Sequence, residues 1–326
     1  MDVEALMRLA IAEAAKGHGF VSPNPKVGAV LVKNGKVVST GYHKFFGDAH
    51  AEVNCLNSYA QSLEGDEIMY VTLEPCAHEG KQPACADYLI NKGMRRVVVA
   101  NMDPNPKVAG LGIKRLRAAG VNVEVGLLNE EAAKLNFGFF KYIKTNRPYL
   151  ILKIAMNMFG QIAPLPRARA QISGLKAGRF VKDLRSKVDG ILVGAGTLQV
   201  DNPELAAGCV NGYEPRRIVL GDVQSDLTLK VFRDQNFLVI RSLDELEGAG
   251  ITSVLVEGGA QVFTSFLEQG LWDEVYIFVN EKKPGFKAGL LAFDGLPIAL
   301  RLLQNCAFET EVMGEDRLYN FKLLGN

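Results

Sequence analysis

The sequence has almost no excess charge and no long apolar run, and both absences narrow what the chain can do. Its 37 Lys and Arg are balanced by 36 Asp and Glu, a formal net charge of +1. Nucleic-acid-binding proteins usually carry a basic patch or a high pI, so a tRNA or DNA substrate is disfavoured. No apolar stretch reaches the roughly 20 residues of a membrane span, and we expect no membrane partner.

Cysteine is also scarce, with 5 residues in 326. An odd, scattered set in a chain whose acidic start does not have the character of a signal peptide favours reduced thiols over disulfides. We therefore expect a cytoplasmic protein. The simplest interpretation of Cys55, Cys209 and Cys306 is small buried apolar filler.

Strand and helix patterns alternate along the whole chain, which predicts helices packed around mixed sheets. In the first half the predicted helices cover 3–16, 50–62, 84–92 and 110–119, and the predicted strands cover 27–32, 36–40, 68–73, 96–100 and 121–125. In the second half the predicted helices cover 174–187 and 260–269, and the predicted strands cover 149–156, 190–194, 217–220, 236–240, 253–256 and 274–280. Asn146-Arg147-Pro148 is a plausible boundary, so two α/β domains are expected at 1–146 and 147–326.

The most informative motif is His50-Ala51-Glu52 with the later cysteines Cys76 and Cys85. One His and two Cys can hold zinc and leave its fourth position open, as catalytic zinc sites do. Replacing an exocyclic amine on an aromatic ring needs hydroxide at neutral pH, and zinc lowers the pKa of bound water toward ~7. Glu52 would then move protons between water, ring and leaving ammonia.

Two less specific interpretations of this motif stay open. A structural zinc site would need a fourth ligand, and His78 is the nearby candidate. Chance placement of His and Cys at helix starts is the other. The gap of eight residues between Cys76 and Cys85 also departs from the Pro-Cys-x-x-Cys pattern of nucleobase deaminases.

One pentapeptide, Pro-Asn-Pro-Lys-Val, occurs twice, at 23–27 and at 104–108. Proline fixes φ and biases its neighbour toward extended shapes, so each copy predicts a rigid loop that presents an Asn. Plain turns are the alternative. Two copies beside core strands of one domain favour pocket walls.

These motifs carry a family resemblance. Pro-Asn-Pro-Lys-Val-Gly at 23–28, His-Ala-Glu-Val-Asn at 50–54, the segment 74–85 and Asp-Pro-Asn-Pro at 103–106 resemble the bifunctional deaminase/reductase family of riboflavin biosynthesis. The long Cys-to-Cys spacing distinguishes that family from tRNA adenosine and cytidine deaminases. The resemblance spans the chain and implies a cytidine-deaminase-like α/β/α sandwich followed by a dihydrofolate-reductase-like α/β domain.

The resemblance also implies roles for single residues of the first domain. Zinc would bind His50, Cys76 and Cys85, and Glu52 would be the proton donor. The implied substrate is the small molecule 2,5-diamino-6-(5-phosphoribosylamino)pyrimidin-4-one. Its implied contacts, of which the basic ones would serve the ribose 5-phosphate, are Asn24, His43, His78, Lys81 and Asn105. We also expect a homo-oligomer.

In the second domain the segments 191–197 and 254–260 are strands that run into glycines, and the second leads into a helix. Bare N–H groups at a helix N-terminus favour phosphate, although neither segment contains G-x-G-x-x-G. Ordinary packing glycines are the alternative. The resemblance implies an NADPH-dependent reductase that converts the ribose to ribitol. Its implied substrate contacts are Lys153, Arg185 and Glu257, and its implied cofactor contacts are Thr197, Asp201, Gly259, Ala260 and Gln261.

The second domain departs from the family pattern at several positions, which are Asn157, Phe159, Arg169, Gln171 and Gly208. The last of these removes a usual phosphate-binding Arg, and Arg169 is a hypothetical replacement. Two other functions therefore stay open: an active deaminase whose second domain only binds or dimerises, and a non-catalytic, zinc-stabilised binding module.

Overall fold

The computed structural model describes residues 2–77, 84–165, 168, 170–207, 212–223, 228–292 and 306–323. The chain forms two compact units, Met1–Asn146 and Arg147–Asn326. Within these described ranges, no helix has both the length and the apolar character needed to cross a membrane.

The described part of the first unit is built on a mixed five-stranded sheet in the order β2-β1-β3-β4-β5. Its strands are β1 (Gly28–Lys33), β2 (Lys36–Tyr42), β3 (Ile68–Leu73), β4 (Arg96–Asn101) and β5 (Asn122–Val125). β1 is antiparallel to β2 and β3, whereas β3, β4 and β5 are parallel. The prediction of a mixed sheet is confirmed.

Strands β1 and β2 are joined by a tight turn at Asn34-Gly35, a dipeptide that favours hairpins. Asn34 and Gly35 have φ values of 52° and 70°, the left-handed conformations that a two-residue hairpin turn of type I′ requires. Asn tolerates this region and Gly adopts it without steric cost. The turn therefore sets the pairs next to it, Lys33 with Lys36 and Val32 with Val37, whereas the register shifts between Leu31 and Val32.

Helices cover both faces of this sheet. They are α1 (Val3–Ala15), α2 (Ala51–Asn57), α3 (Cys85–Asn91), α4 (Leu111–Ala118), α5 (Asn129–Leu135) and α6 (Phe137–Thr145). One face packs α1 and α5 against alternate strand residues such as Val30 and Val98. The other face packs α2, α3 and α4 against their neighbours such as Leu31 and Val97. The alternation of buried side chains along each strand thus produces an α/β/α sandwich.

Helix α2 lies unusually close to the sheet, because β2 has a glycine at the contact. A Cβ atom on Gly41 would lie 2.3 Å from the backbone nitrogen of Cys55. Any side chain there would push α2 and its N-terminal residues outward. The helix is also shorter than the predicted 50–62, since it ends at Asn57, where the Ser58 hydroxyl donates to the carbonyl of Asn54 (2.9 Å).

In the second unit, the described residues form an eight-stranded sheet in the order β10-β9-β8-β11-β6-β12-β15-β14. Its strands are β6 (Tyr149–Asn157), β8 (Gly190–Gly194), β9 (Arg216–Leu220), β10 (Phe237–Ile240), β11 (Ser253–Val256), β12 (Glu274–Asn280), β14 (Cys306–Met313) and β15 (Asp316–Leu323), and β7 (Gln161–Pro164) pairs separately with β13 (Gly289–Leu291). In this spatial order, neighbouring strands from β10 to β12 are parallel. β15 pairs antiparallel with β12, and β14 pairs antiparallel with β15.

The second-unit helices are α7 (Leu175–Arg185), α8 (Ala195–Asp201) and α9 (Ala260–Glu268). The sequence prediction did not include α5, α6, α8, β7, β13, β14 or β15. The strand β14 has almost no buried side chains, so its pattern lacks the apolar alternation on which strand prediction depends.

The packing of the core in the second unit predicts that shortening one buried leucine side chain will lower the stability of the unit. Leu152 is fully buried in the cluster that contains Trp272, the single tryptophan of the chain. Leu152→Ala should lower the free energy of unfolding of this unit by roughly 2–5 kcal/mol, because it leaves a cavity. Trp272 fluorescence during urea unfolding measures this change. The control is Leu175→Ala, at a side chain that is 80% exposed, and an equal loss in both variants would contradict the prediction.

Candidate active sites

Three structural elements bring His50, Cys76 and Cys85 together. His50 is the residue that precedes α2, Cys76 lies just beyond the end of β3, and Cys85 begins α3. Their ligand atoms all lie within 4.8 Å of one another. His50 Nδ1 is 3.2 Å from Cys85 Sγ and 3.6 Å from Cys76 Sγ.

The donor set of these three residues fits zinc. Zinc bonds of about 2.0–2.3 Å that meet near the tetrahedral angle place neighbouring nitrogen and sulfur ligands roughly 3.5 Å apart, close to the observed separations. A hydrogen bond from the Cys85 thiol, and another from His50, hold the pKa of Cys76 well below its ordinary value despite burial. These hydrogen bonds favour the thiolate form of Cys76, and thiolate is the form that binds metal.

Glu52 lies beside this cluster, in the first turn of α2, with 3% of its surface exposed. Burial raises the pKa of its carboxyl group to about 7, although the nearby His50 acts in the opposite direction. A carboxyl group with a pKa near neutrality can both accept and release a proton. The arrangement thus combines a three-ligand metal site with an acid–base group.

A cavity of about 280 Å³ opens onto these residues. Its lining combines aliphatic and aromatic side chains with amide, imidazole and carboxyl groups, from Asn24, Pro25, Val27, His43, His50, Glu52, Leu73, Glu74, Cys76, Asp103, Asn105, Val108, Phe139 and Ile143. Three of the predicted substrate contacts, Asn24, His43 and Asn105, therefore lie at one cavity with His50 and Cys76. The other two, His78 and Lys81, lie outside the described residues.

The imidazole of His43 fixes the orientation of the Asn24 amide. Its Nδ1 lies 3.2 Å from the carbonyl oxygen of Ala49, so Nδ1 is the nitrogen that donates. Its Nε2 then accepts from Nδ2 of Asn24, at 3.3 Å. Burial lowers the pKa of His43, which favours this neutral tautomer.

Several residues that line this cavity were not predicted from the sequence. Phe139 and Ile143 are one turn apart on α6, and the helical spacing of large apolar residues from 137 to 143 was the available signal. Glu74 and Asp103 are the other two. Glu74 directly precedes the Pro-Cys motif, and a carboxylate at the end of a buried strand is an unusual residue that could have been noted.

The second unit contains a larger cavity, of about 590 Å³, around a bidentate ion pair. Arg185 at the end of α7 donates from Nε and Nη2 to the two oxygens of Glu257, at 2.5 and 2.8 Å. Burial alone would raise the pKa of Glu257, but the hydrogen bond and charge of Arg185 outweigh it and hold the pKa below its ordinary value. The two charges therefore stay fixed at the cavity wall.

Lys153 on β6 lines the same cavity, and in the described parts of the chain it forms no hydrogen bond or ion pair. Burial lowers the pKa of its ammonium group. The negative charges of Glu257 and Asp316 compensate this burial only in part. Lys153 thus points to a ligand that carries oxygen acceptors or negative charge.

A neighbouring cavity of about 300 Å³ lies where α8 and α9 begin. Strands β8 and β11 are adjacent and parallel, so the helices that follow them start at the same edge of the sheet. Gly258 lets α9 approach closely, because a Cβ there would lie 2.5 Å from Val262. Backbone N–H groups at such an edge favour phosphate.

The predicted cofactor residues fall at these two cavities. Thr197 and Gly259 line both, Ala260 and Gln261 line the smaller one, and Asp201 lines the larger one. The predicted substrate contacts Lys153, Arg185 and Glu257 all line the larger cavity.

The residues that depart from the family pattern do not all lie at these two cavities. Gln171 lines the larger cavity. Asn157 is fully buried, and its Oδ1 accepts from the backbone of Phe159 and Gln161 at 3.0 Å each, so it shapes the turn between β6 and β7. Phe159 is 58% exposed and lines neither cavity. Arg169 and Gly208 lie outside the residues that the structure describes.

Comparison with known proteins gives a consistent result for both units. Residues 148–313 match the family model described as the RibD C-terminal domain, and residues 1–101 match the cytidine and deoxycytidylate deaminase zinc-binding region. The chain is 35% identical to the riboflavin biosynthesis protein RibD of Aquifex aeolicus, over 97% of both chains. It is 33% identical to that of Escherichia coli, over 91% of this chain and 92% of the relative.

A solved structure gives the same result. The diaminohydroxyphosphoribosylaminopyrimidine deaminase/5-amino-6-(5-phosphoribosylamino)uracil reductase of Thermotoga maritima superimposes with a TM-score of 0.85 at 34% identity, over 98% of each chain. These matches confirm the expected fold of each unit. The chain therefore belongs to the RibD family of bifunctional deaminase/reductases of riboflavin biosynthesis.

Proposed function

We propose that the first unit hydrolytically deaminates 2,5-diamino-6-(5-phosphoribosylamino)pyrimidin-4-one and that the second unit then reduces the ribose of the product to ribitol with NADPH. The observation that carries the first step is the convergence of His50, Cys76 and Cys85 beside the buried carboxyl group of Glu52. This set provides a place for zinc and an acid–base group at one cavity.

The cavity also suits the proposed pyrimidine. Leu73, Val108 and Phe139 supply apolar surface for a flat ring, whereas Asn24 and Asn105 supply amides for its exocyclic and ring polar groups. The phosphate of the substrate is assigned to His78 and Lys81 on the strength of the family resemblance.

In this proposal His50, Cys76 and Cys85 hold a zinc ion, which when bound lowers the pKa of water to ~7. Water adds its oxygen to the ring carbon that carries the exocyclic amine. Glu52 accepts the proton released from water and donates it to the adjacent ring nitrogen. The second proton passes through the same carboxyl group to the amine, the C–N bond breaks, and ammonia leaves as the ring carbonyl forms.

In the second unit the ring-opened ribose would lie in the larger cavity. In the ring-opened form C1 is double-bonded to the amino nitrogen, so bound NADPH would supply a hydride to C1 while the C=N π bond opens and the nitrogen takes a proton from solvent. We assign NADPH contacts to Thr197, Asp201, Gly259, Ala260 and Gln261. Lys153 would bind sugar or phosphate oxygens, and the paired Arg185 and Glu257 would orient the hydroxyl groups. The alternative of a non-reducing second unit is not favoured, since family matches cover both units.

The proposal includes a cytoplasmic location and homo-oligomeric assembly. Light scattering of the purified protein should then give a molar mass of at least two chains of 35.5 kDa each. A mass of one chain at micromolar concentration would contradict the assembly.

Glu52→Gln should abolish deamination without loss of the metal. The amide cannot accept and return a proton, so ammonia release should fall by about 10²–10⁴-fold. Zinc content by atomic absorption should stay at the wild-type value. Glu130→Gln, at an exposed residue of α5, is the matched control. Full activity of Glu52→Gln would exclude its assigned role.

Lys153→Met should weaken binding of the deaminated substrate without lowering the stability of the second unit. The change removes a cation whose pKa is lowered by burial and which forms no hydrogen bond or ion pair among the described residues, so the urea midpoint reported by Trp272 should stay equal or rise. KM of NADPH oxidation for the deaminated substrate should rise by about tenfold or more, as expected when a charged hydrogen bond is lost. Lys182→Met, at an exposed residue of α7, is the control. Lower stability with an unchanged KM would contradict the assignment.

A further inference from the structure

Both copies of the repeated pentapeptide contribute to the lining of the cavity beside His50 and Glu52. Asn24 in the copy at 23–27 and Asn105 in the copy at 104–108 both line it. Each loop lies outside the helices and strands, so other groups must hold its backbone. The structure shows one buried polar side chain at each loop that does so.

The first loop is held by Asn136, the residue between α5 and α6, which is 4% exposed. Its Oδ1 accepts from the backbone N–H of Lys26, and its Nδ2 donates to the carbonyl oxygen of Lys26, both at 2.8 Å. The amide therefore bonds to Lys26 as a neighbouring strand would. Lys26 is two residues from Asn24, whose side chain His43 orients.

The second loop is held by Glu74, which is 6% exposed. Its Oε2 accepts from the N–H groups of Asp103 and Gly110, at 3.1 and 2.9 Å, and so joins the two ends of the loop. Its Oε1 accepts from the N–H groups of Gly112 and Ile113, at 2.8 and 3.2 Å.

Hydrogen bonds within the loop connect the backbone that Glu74 holds to Asn105. The side chain of Asp103 accepts from the backbone N–H of Asn105 at 2.8 Å. The side chain of Asn105 in turn accepts from the N–H of Lys107 at 3.1 Å. On the other side, Gly112 lies directly against Pro75, since a Cβ there would be 1.9 Å from the Pro75 oxygen. The loop is thus fixed relative to the segment that carries Cys76.

We propose that Asn136 and Glu74 are positioning residues for substrate binding, which act through Asn24 and Asn105 respectively. The proposal rests on the deaminase function proposed above. Both side chains hold a loop in one conformation before substrate binds. The free energy of binding is therefore not reduced by the entropic cost of ordering that loop. Neither touches the reacting atoms, and loss of either should weaken binding more than it slows the chemical step.

The first test is Asn136→Asp, which keeps the size of the side chain but replaces the donor to the Lys26 carbonyl with an oxygen. KM for ammonia release should rise roughly five- to tenfold, as for the loss of one buried hydrogen bond. The value of kcat and the zinc content should stay at the wild-type level. Asn129→Asp, on the exposed start of α5, is the matched control and should change neither constant.

A double-mutant cycle separates positioning from a general structural effect. In the background of Asn24→Ala, the change Asn136→Asp should alter KM by less than about twofold, because the residue through which it acts is gone. Glu74→Gln, which places an amide nitrogen against backbone donors, should behave in the same way with Asn105→Ala. An equal rise of KM in both backgrounds, or no rise in either, would overturn the proposal.

Hydrogen–deuterium exchange gives a readout that does not depend on activity. Asn136→Asp should speed amide exchange in the segment 22–28, and Glu74→Gln should speed it in the segment 103–113. Unchanged exchange would overturn the positioning role even if KM changed. A wild-type chain that binds zinc but releases no ammonia would instead contradict the proposed function, whereas the exchange data would still decide whether these residues hold the loops.

Discussion

The convergence of His50, Cys76 and Cys85 at one point is the constraint on which the first unit depends. His50 directly precedes α2, Cys76 follows the end of β3 and Cys85 begins α3, so the sheet and two helices must meet closely. The absence of a side chain at Gly41 allows α2 to reach the sheet. Glu52, in the first turn of α2, is buried beside His50, and burial raises the pKa of its carboxyl group to about 7. Packing thus sets the chemistry of the site.

Much of the first unit could be predicted because its signals are local. The Asn34-Gly35 turn and the alternating strands are encoded within a few residues. The motif around His50 and Cys76 identified the candidate metal ligands for the same reason. By contrast, the bonds of Asn136 to Lys26 join residues that are 110 positions apart. No periodicity or short motif reports such a pair, and only the folded chain shows it.

The second unit shows a different limit of sequence reasoning. Its departures from the family pattern suggested a damaged site, yet Asn157 shapes a turn and Phe159 lines neither cavity. Among the described departures, Gln171 lines the larger cavity, whereas Asn157 and Phe159 line neither cavity. The edge strand β14 was missed since both its faces are largely exposed, and its place in the sheet depends on pairing with β15.

The way Glu74 joins the ends of the second loop has a consequence for how such a site can diversify. One carboxylate oxygen bonds Asp103 and Gly110, so the residues between them form an arch on a fixed base. Loops tolerate substitution and changes of length when their anchors are preserved. The arch could therefore be exchanged for one of another sequence, and the substrate range altered, while the base kept Cys76 and helix α4 in place.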